Sequence, residues 1–392
     1  MTAMRVLFVA HAYPRFPADA AGSFLHRLAL ALREAGAAVE VLAPAGADLA
    51  ERETIDGVPV RRFRYAPRGL ETLAYTGTMA EQVLGSLGGK AALAGFLGAG
   101  SWALRREIAR FAPDVVHAHW WFPAGLLALA GGGGKPLVTT MHGSDVRLAR
   151  KVSVVHPLMR AVLRRSQAVT SVSSWLADEA RAMAPEARIV VAPMPADTAA
   201  FAPEGTPVAG RFLFVGRLNA QKGVADLLDA FAQLPADATL DVVGDGDDRA
   251  ALHARAEGLG IAARVRWIGH IDRSALAAAY RSAIAVVMPS RDEGLGLVGV
   301  EAQLCGTPVI AYRSGGLPDV VDAAWGGTLV EPGDLTGLAA AMRARLVARS
   351  AAGGVDASAG AARARMLERF APREVASRYL ALYEQAVRDA TA

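Results

Sequence analysis

Five short aliphatic runs alternate with helical patterns in the first half of this 392-residue chain, and five more do so in the second. Runs of five or six residues are too short for buried helices. Apolar on both faces, they suit strands covered from both sides, so the alternation predicts parallel sheets wound with crossover helices. The first set is RVLFVA (5–10), VEVLA (39–43), VVHAH (115–119), LVTTMH (137–142) and AVTSVS (168–173). The second is RFLFVG (211–216), TLDVVG (239–244), VRWIG (265–269), IAVVMP (284–289) and TPVIAY (307–312). Between the first two strands, Phe24, Leu25, Leu28, Ala29 and Leu32 follow helical spacing, and Gly36 suits the helix end. Val224–Gln233 and Asp248–Gly258 are helical in the same way. The expected fold class is α/β with two doubly wound domains, residues 1–195 and 196–370. The joining stretch carries Pro193, Pro195, Pro203 and Pro207. Residues 371–392 close the chain with a helix, and the Gly-rich Ala351–Ala362 predicts a loop.

Composition excludes several classes. Hydrophobic residues make up 53%, yet the longest apolar run, Ala91–Leu104, is shorter than the ~17–25 residues that cross a bilayer. His11 interrupts the apolar run Val6–Ala10, which suits a first strand rather than a secretion signal and places the protein in the cytoplasm. One cysteine, Cys305, excludes internal disulfides and Cys-based zinc clusters, and its apolar neighbours suit a buried, inert thiol. GGGGKP (131–136) lacks the Ser or Thr of a phosphate loop and precedes a strand. HAYPRFPADAAGS lacks the dinucleotide glycine fingerprint, so hydride chemistry with NAD is not expected.

Charge is uneven. Residues 1–195 carry 22 Lys and Arg against 15 Asp and Glu, a surplus of seven, while the remainder carries 20 against 23. Between Asp145 and Asp178 no acid occurs, and Arg160, Arg164 and Arg165 fall at helical spacing. A solvated helix face accounts for this pattern, and a peripheral contact with the anionic inner face of a membrane is the alternative. Aromatic residues do not interleave with the basic ones, which argues against nucleic acid.

The stretch RDEGLGLVGVEAQLCGTPVIAYRSGG (291–316) carries the chemistry. It follows the carboxyl end of a strand, where open α/β sheets bind ligands. Gly294 and Gly296 let backbone amides approach an anion, and a helix beginning near Leu297 directs its positive end there. Glu293 and Glu301 supply carboxylates on either side, suited to the hydroxyls of two polyols flanking a diphosphate. A nucleotide sugar has that layout.

Glu293, seven residues, Glu301 and the following CGTPVIAYRSGGLPDVV resemble glycosyltransferase family 4, retaining enzymes of the GT-B fold. The resemblance spans nearly the whole chain: VGRLNAQKG (215–223), VVGDG (242–246), MHGSD (141–145) and the Ala21–Gly22 turn also match. It implies two facing Rossmann-like domains with a terminal helix returning to the first, and sugar transfer from a nucleotide diphosphate to a hydroxyl acceptor, whether a sugar, a lipid-linked group or a small molecule. No cofactor and no metal are implied. Arg217 and Lys222 would neutralise the leaving diphosphate, Glu301 would bind ribose, and Glu293 the donor sugar. Gly22, Gly244, Asp245, Gly294, Leu295, Gly296 and Leu297 would complete the donor site. His142 would approach the donor sugar from across the cleft. His117 and His119 share one strand face, where packing or the lining of an acceptor cleft is favoured over a metal pair for want of a third ligand, and Asp145 is placed on the acceptor side with them. Leu295 stands where the family usually has Phe, and Met194-Pro195-Ala196-Asp197 replaces its linker motif. A nucleotide-sugar epimerase and a silent sugar-nucleotide sensor are the rival readings; intact Arg217, Lys222, Glu293 and Glu301 argue against the sensor.

Overall fold

Apolar residues with β-branched side chains pack on both faces of a parallel strand, and the strands of this protein are buried accordingly. The computed structural model describes residues 3–391 except 18, 20, 47, 76–78, 206 and 352–358. It divides into two units, residues 1–195 with 372–392, and residues 196–371.

The first unit holds eight strands: β1 (Arg5–Val9), β2 (Ala38–Pro44), β3 (Arg52–Ile55), β4 (Val58–Phe63), β5 (Val115–His119), β6 (Leu137–Met141), β7 (Ala168–Ser171) and β8 (Ile189–Val191). Their order is β3-β4-β2-β1-β5-β6-β7-β8, all parallel except the β3–β4 hairpin. Its helices are α1 (Ser23–Glu34), α2 (Met79–Gly85), α3 (Leu87–Phe111), α4 (Leu126–Gly131), α5 (Ser144–Lys151), α6 (His156–Arg165) and α7 (Ser174–Met183). Gly36, at φ +93°, ends α1 as its position suggests. The apolar run Ala91–Leu104 lies inside α3, and among the described residues no helix is long and apolar enough to cross a membrane.

The second unit holds β9 (Arg211–Val215), β10 (Thr239–Val243), β11 (Val265–Gly269), β12 (Ala285–Met288), β13 (Val309–Tyr312) and β14 (Thr328–Val330). The order β11-β10-β9-β12-β13-β14, all parallel, reverses between β9 and β12. That reversal splays the loops after these two strands and opens a crevice at their carboxyl ends. Around the sheet run α8 (Val224–Phe231), α9 (Arg249–Gly258), α10 (Arg273–Ser282), α11 (Leu297–Leu304), α12 (Leu335–Ala351) and α13 (Ala359–Phe370). The core gathers Phe212, Phe214, Val287, Ile310 and Tyr312 of the sheet with Leu227, Leu228 and Phe231 of α8.

The terminal helix α14 (Pro372–Thr391) belongs to the first unit, where it packs on α1 and against β5–β7. Tyr379 and Tyr383 are its fully buried anchors. Tyr379 donates to the Ala192 carbonyl at 2.9 Å.

Four strands escape the sequence reading: β3, β4, β8 and β14. Charges interrupt the first two, and the others have three residues each. The expected loop at Ala351–Ala362 is corrected at both ends, because Ala351 closes α12 and Ala359–Ala362 open α13 with Ala362 buried; residues 352–358 lie outside the described part. Cys305 is free and buried, its thiol pushed up to about 12 by burial. The helix bearing Arg160, Arg164 and Arg165 is largely committed to structure. Arg160 donates to the Met183 carbonyl at 2.7 Å and Arg165 to that of Lys135 at 2.9 Å, while Arg164 reaches Glu186 at 3.8 Å.

Candidate active site

In the second unit the site is built by backbone approaches that only glycine permits. At Gly244, φ is +122° and a β-carbon would stand 2.0 Å from the Gly216 carbonyl oxygen. The loops after β9 and β10 therefore interlock, with Leu218 N donating to the Asp245 carbonyl at 2.9 Å. A β-carbon on Gly223 would meet the Pro289 carbonyl at 2.1 Å, which presses the turn bearing Lys222 onto the loop after β12. Gln221 reinforces that seam, its carbonyl accepting from Arg291 N at 2.8 Å and its amide donating to the Asp292 carbonyl at 3.2 Å.

These constraints bring Lys222 and Glu293 together: Nζ lies 2.5 Å from Oε2. Both are partly buried, so water screens the pair less than an exposed one. Glu293 is itself held from behind. Gly316 N donates to its carbonyl at 2.8 Å, and a β-carbon on Gly315 would stand 2.5 Å from its nitrogen. The glycine pair of RSGG thus fixes the carboxylate, a role that sequence spacing does not reveal. Gly294, Leu295 and Gly296 are buried, and Gly296, at φ +91°, is the N-cap of α11. No side chain caps that helix and no acid occupies its first turn, so the amide end beginning at Leu297 keeps its positive potential.

Glu301 lies one turn further along α11. Tyr280, fully buried on α10, donates to its Oε2 at 3.0 Å. Burial, with Glu301 alongside, holds the Tyr280 hydroxyl protonated well above its usual range. Tyr280 is a site-shaping residue that sequence reading missed, since nothing local ties it to Glu301. The Arg217 guanidinium is exposed and has no partner among the described residues. Asp245 forms a turn: Oδ1 accepts from Gly246 N at 2.8 Å and Oδ2 faces Arg249 at 3.2 Å. Lys222, Glu293, Gly294–Leu297 and Glu301 therefore share the β12–α11 corner, and Arg217, Gly244 and Asp245 the interlocked neighbouring loops.

In the first unit, Gly22 at φ +71° is the N-cap of α1, and a β-carbon there would stand 2.8 Å from the Ala12 carbonyl. His142 follows β6 and is partly buried. Its Nε2 and His119 Nδ1 share a hydrogen bond of 3.2 Å. His119 Nε2 is buried without a partner. A proton on Nδ1 leaves only a lone pair orphaned there, which favours His119 donating and His142 carrying its proton on Nδ1. Trp120, His11 and Phe24 complete an aromatic cluster, with Trp120 4.5 Å from His142 and 4.2 Å from His11 between ring centroids. Burial lowers the His11 pKa to about 4 and holds His119 and His142 well below 6.5. At neutral pH the cluster is uncharged, so His142 offers hydrogen bonds rather than a positive charge.

Three acceptor-side expectations are corrected. His117 is 0% exposed, with Nδ1 2.8 Å from Tyr383 Oη and Nε2 2.7 Å from Thr140 Oγ1; it is a saturated core residue. His119 is also fully buried, beneath His142. Asp145, 2% exposed, spends its carboxylate on the backbone: Trp121 N donates at 3.1 Å, Gly143 N at 3.0 Å and His142 N at 3.2 Å. It shapes the loop that presents His142. Among the described residues no group of three or more His, Cys, Asp or Glu could hold a metal ion.

Residues 20–195 match the family described as "Glycosyl transferase 4-like domain", and residues 206–349 match "Glycosyl transferases group 1". Glycogen synthase of Mycobacterium tuberculosis is 31% identical, covering 98% of this chain and 95% of its own. Sucrose-phosphate synthase from Thermosynechococcus elongatus superposes with a TM-score of 0.80 at 22% identity, covering 98% of this chain and 100% of that one. Anabaena HepE in complex with UDP-glucose gives 0.71 at 20% identity, covering 97% and 99%. The chain belongs to glycosyltransferase family 4, whose members have the GT-B fold. It is an enzyme of glycosyl transfer, and the epimerase and sensor readings are set aside.

Proposed function

We propose that this enzyme is a retaining hexosyltransferase that uses a nucleoside diphosphate sugar and a hydroxyl acceptor, with donor contacts in residues 196–370 and acceptor contacts in residues 1–195. The observation that carries the reading is the corner where Lys222, held by Glu293 at 2.5 Å, meets the uncapped start of α11, with Glu301 a turn behind. A diphosphate there gains a cation and oriented amides without requiring a metal. Arg217, exposed on the adjoining loop, adds a second cation. HepE, solved with UDP-glucose, supports a donor of this class.

The chemistry then follows from charge. The bond between the sugar's anomeric carbon and the diphosphate oxygen breaks, and Lys222, Arg217 and the α11 amides stabilise the charge growing on the leaving group. The acceptor oxygen bonds to the same face of that carbon, and its proton passes to the departing phosphate. No side chain is assigned as nucleophile. His142, neutral, donates a hydrogen bond to the sugar. We place the reaction in the cytoplasm and give the Arg160–Arg165 helix a structural role, because two of its three arginines already serve main-chain carbonyls.

NMR of the earliest product is expected to show the donor's anomeric configuration. Inversion would refute the same-face mechanism. Glu301→Ala is expected to weaken binding of the matching nucleoside diphosphate by about 1–3 kcal/mol, the loss of hydrogen bonds to a charged acceptor. Calorimetry reads this directly, and unchanged affinity would remove Glu301 from the ribose site.

A further inference from the structure

At the edge of the first unit's sheet, three strands from β1, the β3–β4 hairpin and α3 flank a half-open cavity of about 300 Å³. Arg52, Arg61, Arg64 and Arg106 line it with Trp102 and Phe63. Arg52 and Arg61 are register partners across the antiparallel pair, directly opposite on one face. Like charges in that position destabilise a sheet. Neither has a carboxylate partner among the described residues, and Arg61 Nε is buried with no hydrogen bond. Nearby acids do not offset this. Glu107 already accepts from Arg110 at 2.7 Å, and Glu51 lies 3.4 Å from Arg64, whose NH1 also reaches Glu71 at 2.6 Å. Trp102 is 60% exposed, with the Arg106 guanidinium 4.6 Å from its ring centroid. A fold gains nothing from facing arginines beside an exposed indole.

We propose that this cavity binds a phosphorylated sugar, separate from the donor and acceptor sites. The guanidinium forks of Arg52 and Arg61 match a phosphate's oxygens. Trp102 offers the ring a flat apolar wall. The volume sits at the lower end of small-molecule pockets, enough for one sugar ring and one phosphate.

Emission from Trp102, taken as the difference between the wild type and Trp102→Phe, reports on this cavity alone. Mannose 6-phosphate is expected to change it saturably, inorganic phosphate to bind more weakly, and mannose to leave it unchanged. The double variant Arg52→Ser/Arg61→Ser is expected to raise the Kd at least tenfold while raising, not lowering, Tm without ligand, since the facing charges are gone. No saturable change with millimolar mannose 6-phosphate, or the same change in the double variant, would overturn the site. Phosphate binding as tightly as the sugar phosphate would overturn the sugar half of the assignment, and a Tm drop of several degrees would assign the arginines to the fold instead.

Discussion

Lys222→Ala is expected to lower kcat by about 100- to 1,000-fold, the cost of removing one preorganised group that stabilises developing charge. The effect falls on kcat because leaving-group charge grows only as the glycosidic bond breaks. Glu293 then loses the cation at 2.5 Å and stands as an unpaired carboxylate near an incoming diphosphate, which also raises the donor KM. Lys222→Arg is expected to restore part of the rate, since charge is kept but the compact ammonium is not. Steady-state kinetics with saturating donor separates the terms. A kcat within threefold of wild type for Lys222→Ala would place the leaving-group charge elsewhere. Lys222 is partly exposed on a surface turn, so unfolding does not confound the result.

Asp145→Ala is expected to destabilise the first unit by about 3–4 kcal/mol, because the amides of Trp121, His142 and Gly143 lose a charged acceptor and at least two are buried. At this size the melting temperature falls on the order of 10 °C. Activity should fall further than stability alone explains, since the same amides hold the loop that presents His142. Asp145→Asn retains one acceptor oxygen and should lose about half as much. Scanning calorimetry checks both, and a shift under about 3 °C for the alanine variant would show that the loop holds itself.

Much of this is legible in the amino-acid sequence itself. Strands that are apolar on both faces announce themselves by composition, which is why ten of them were placed within two residues of their observed ends. Strands β3 and β4 were not, since Arg52, Glu53, Arg61 and Arg62 make an edge hairpin resemble a loop. The β12–α11 corner was readable because a glycine-rich turn between strand and helix has few other uses. Asp145 was placed by its motif, which does not show that the carboxylate is spent on backbone amides; His117 and His119 share another reason. Spacing tells which side of a strand a residue faces, but not whether that side opens to solvent or lies under another helix. His117 is sealed by Tyr383, which is 266 positions away in sequence. Tyr280 and the Gly315–Gly316 support were equally invisible, because each acts through contacts that no local pattern encodes.

The partner of His117 has a consequence for how the chain is made. Residues 372–391 complete the first unit, yet a ribosome delivers them only after all of residues 196–371. At about 5–20 residues per second, translation leaves the first sheet waiting roughly 10–35 s for its last helix. During that interval the surface destined for Tyr379 and Tyr383 is bare, including the His117 nitrogen and the Ala192 carbonyl that they will satisfy. The nascent chain is thus exposed to chaperones and to aggregation throughout that interval, and the emergence of residues 372–391 is the step that closes the first unit.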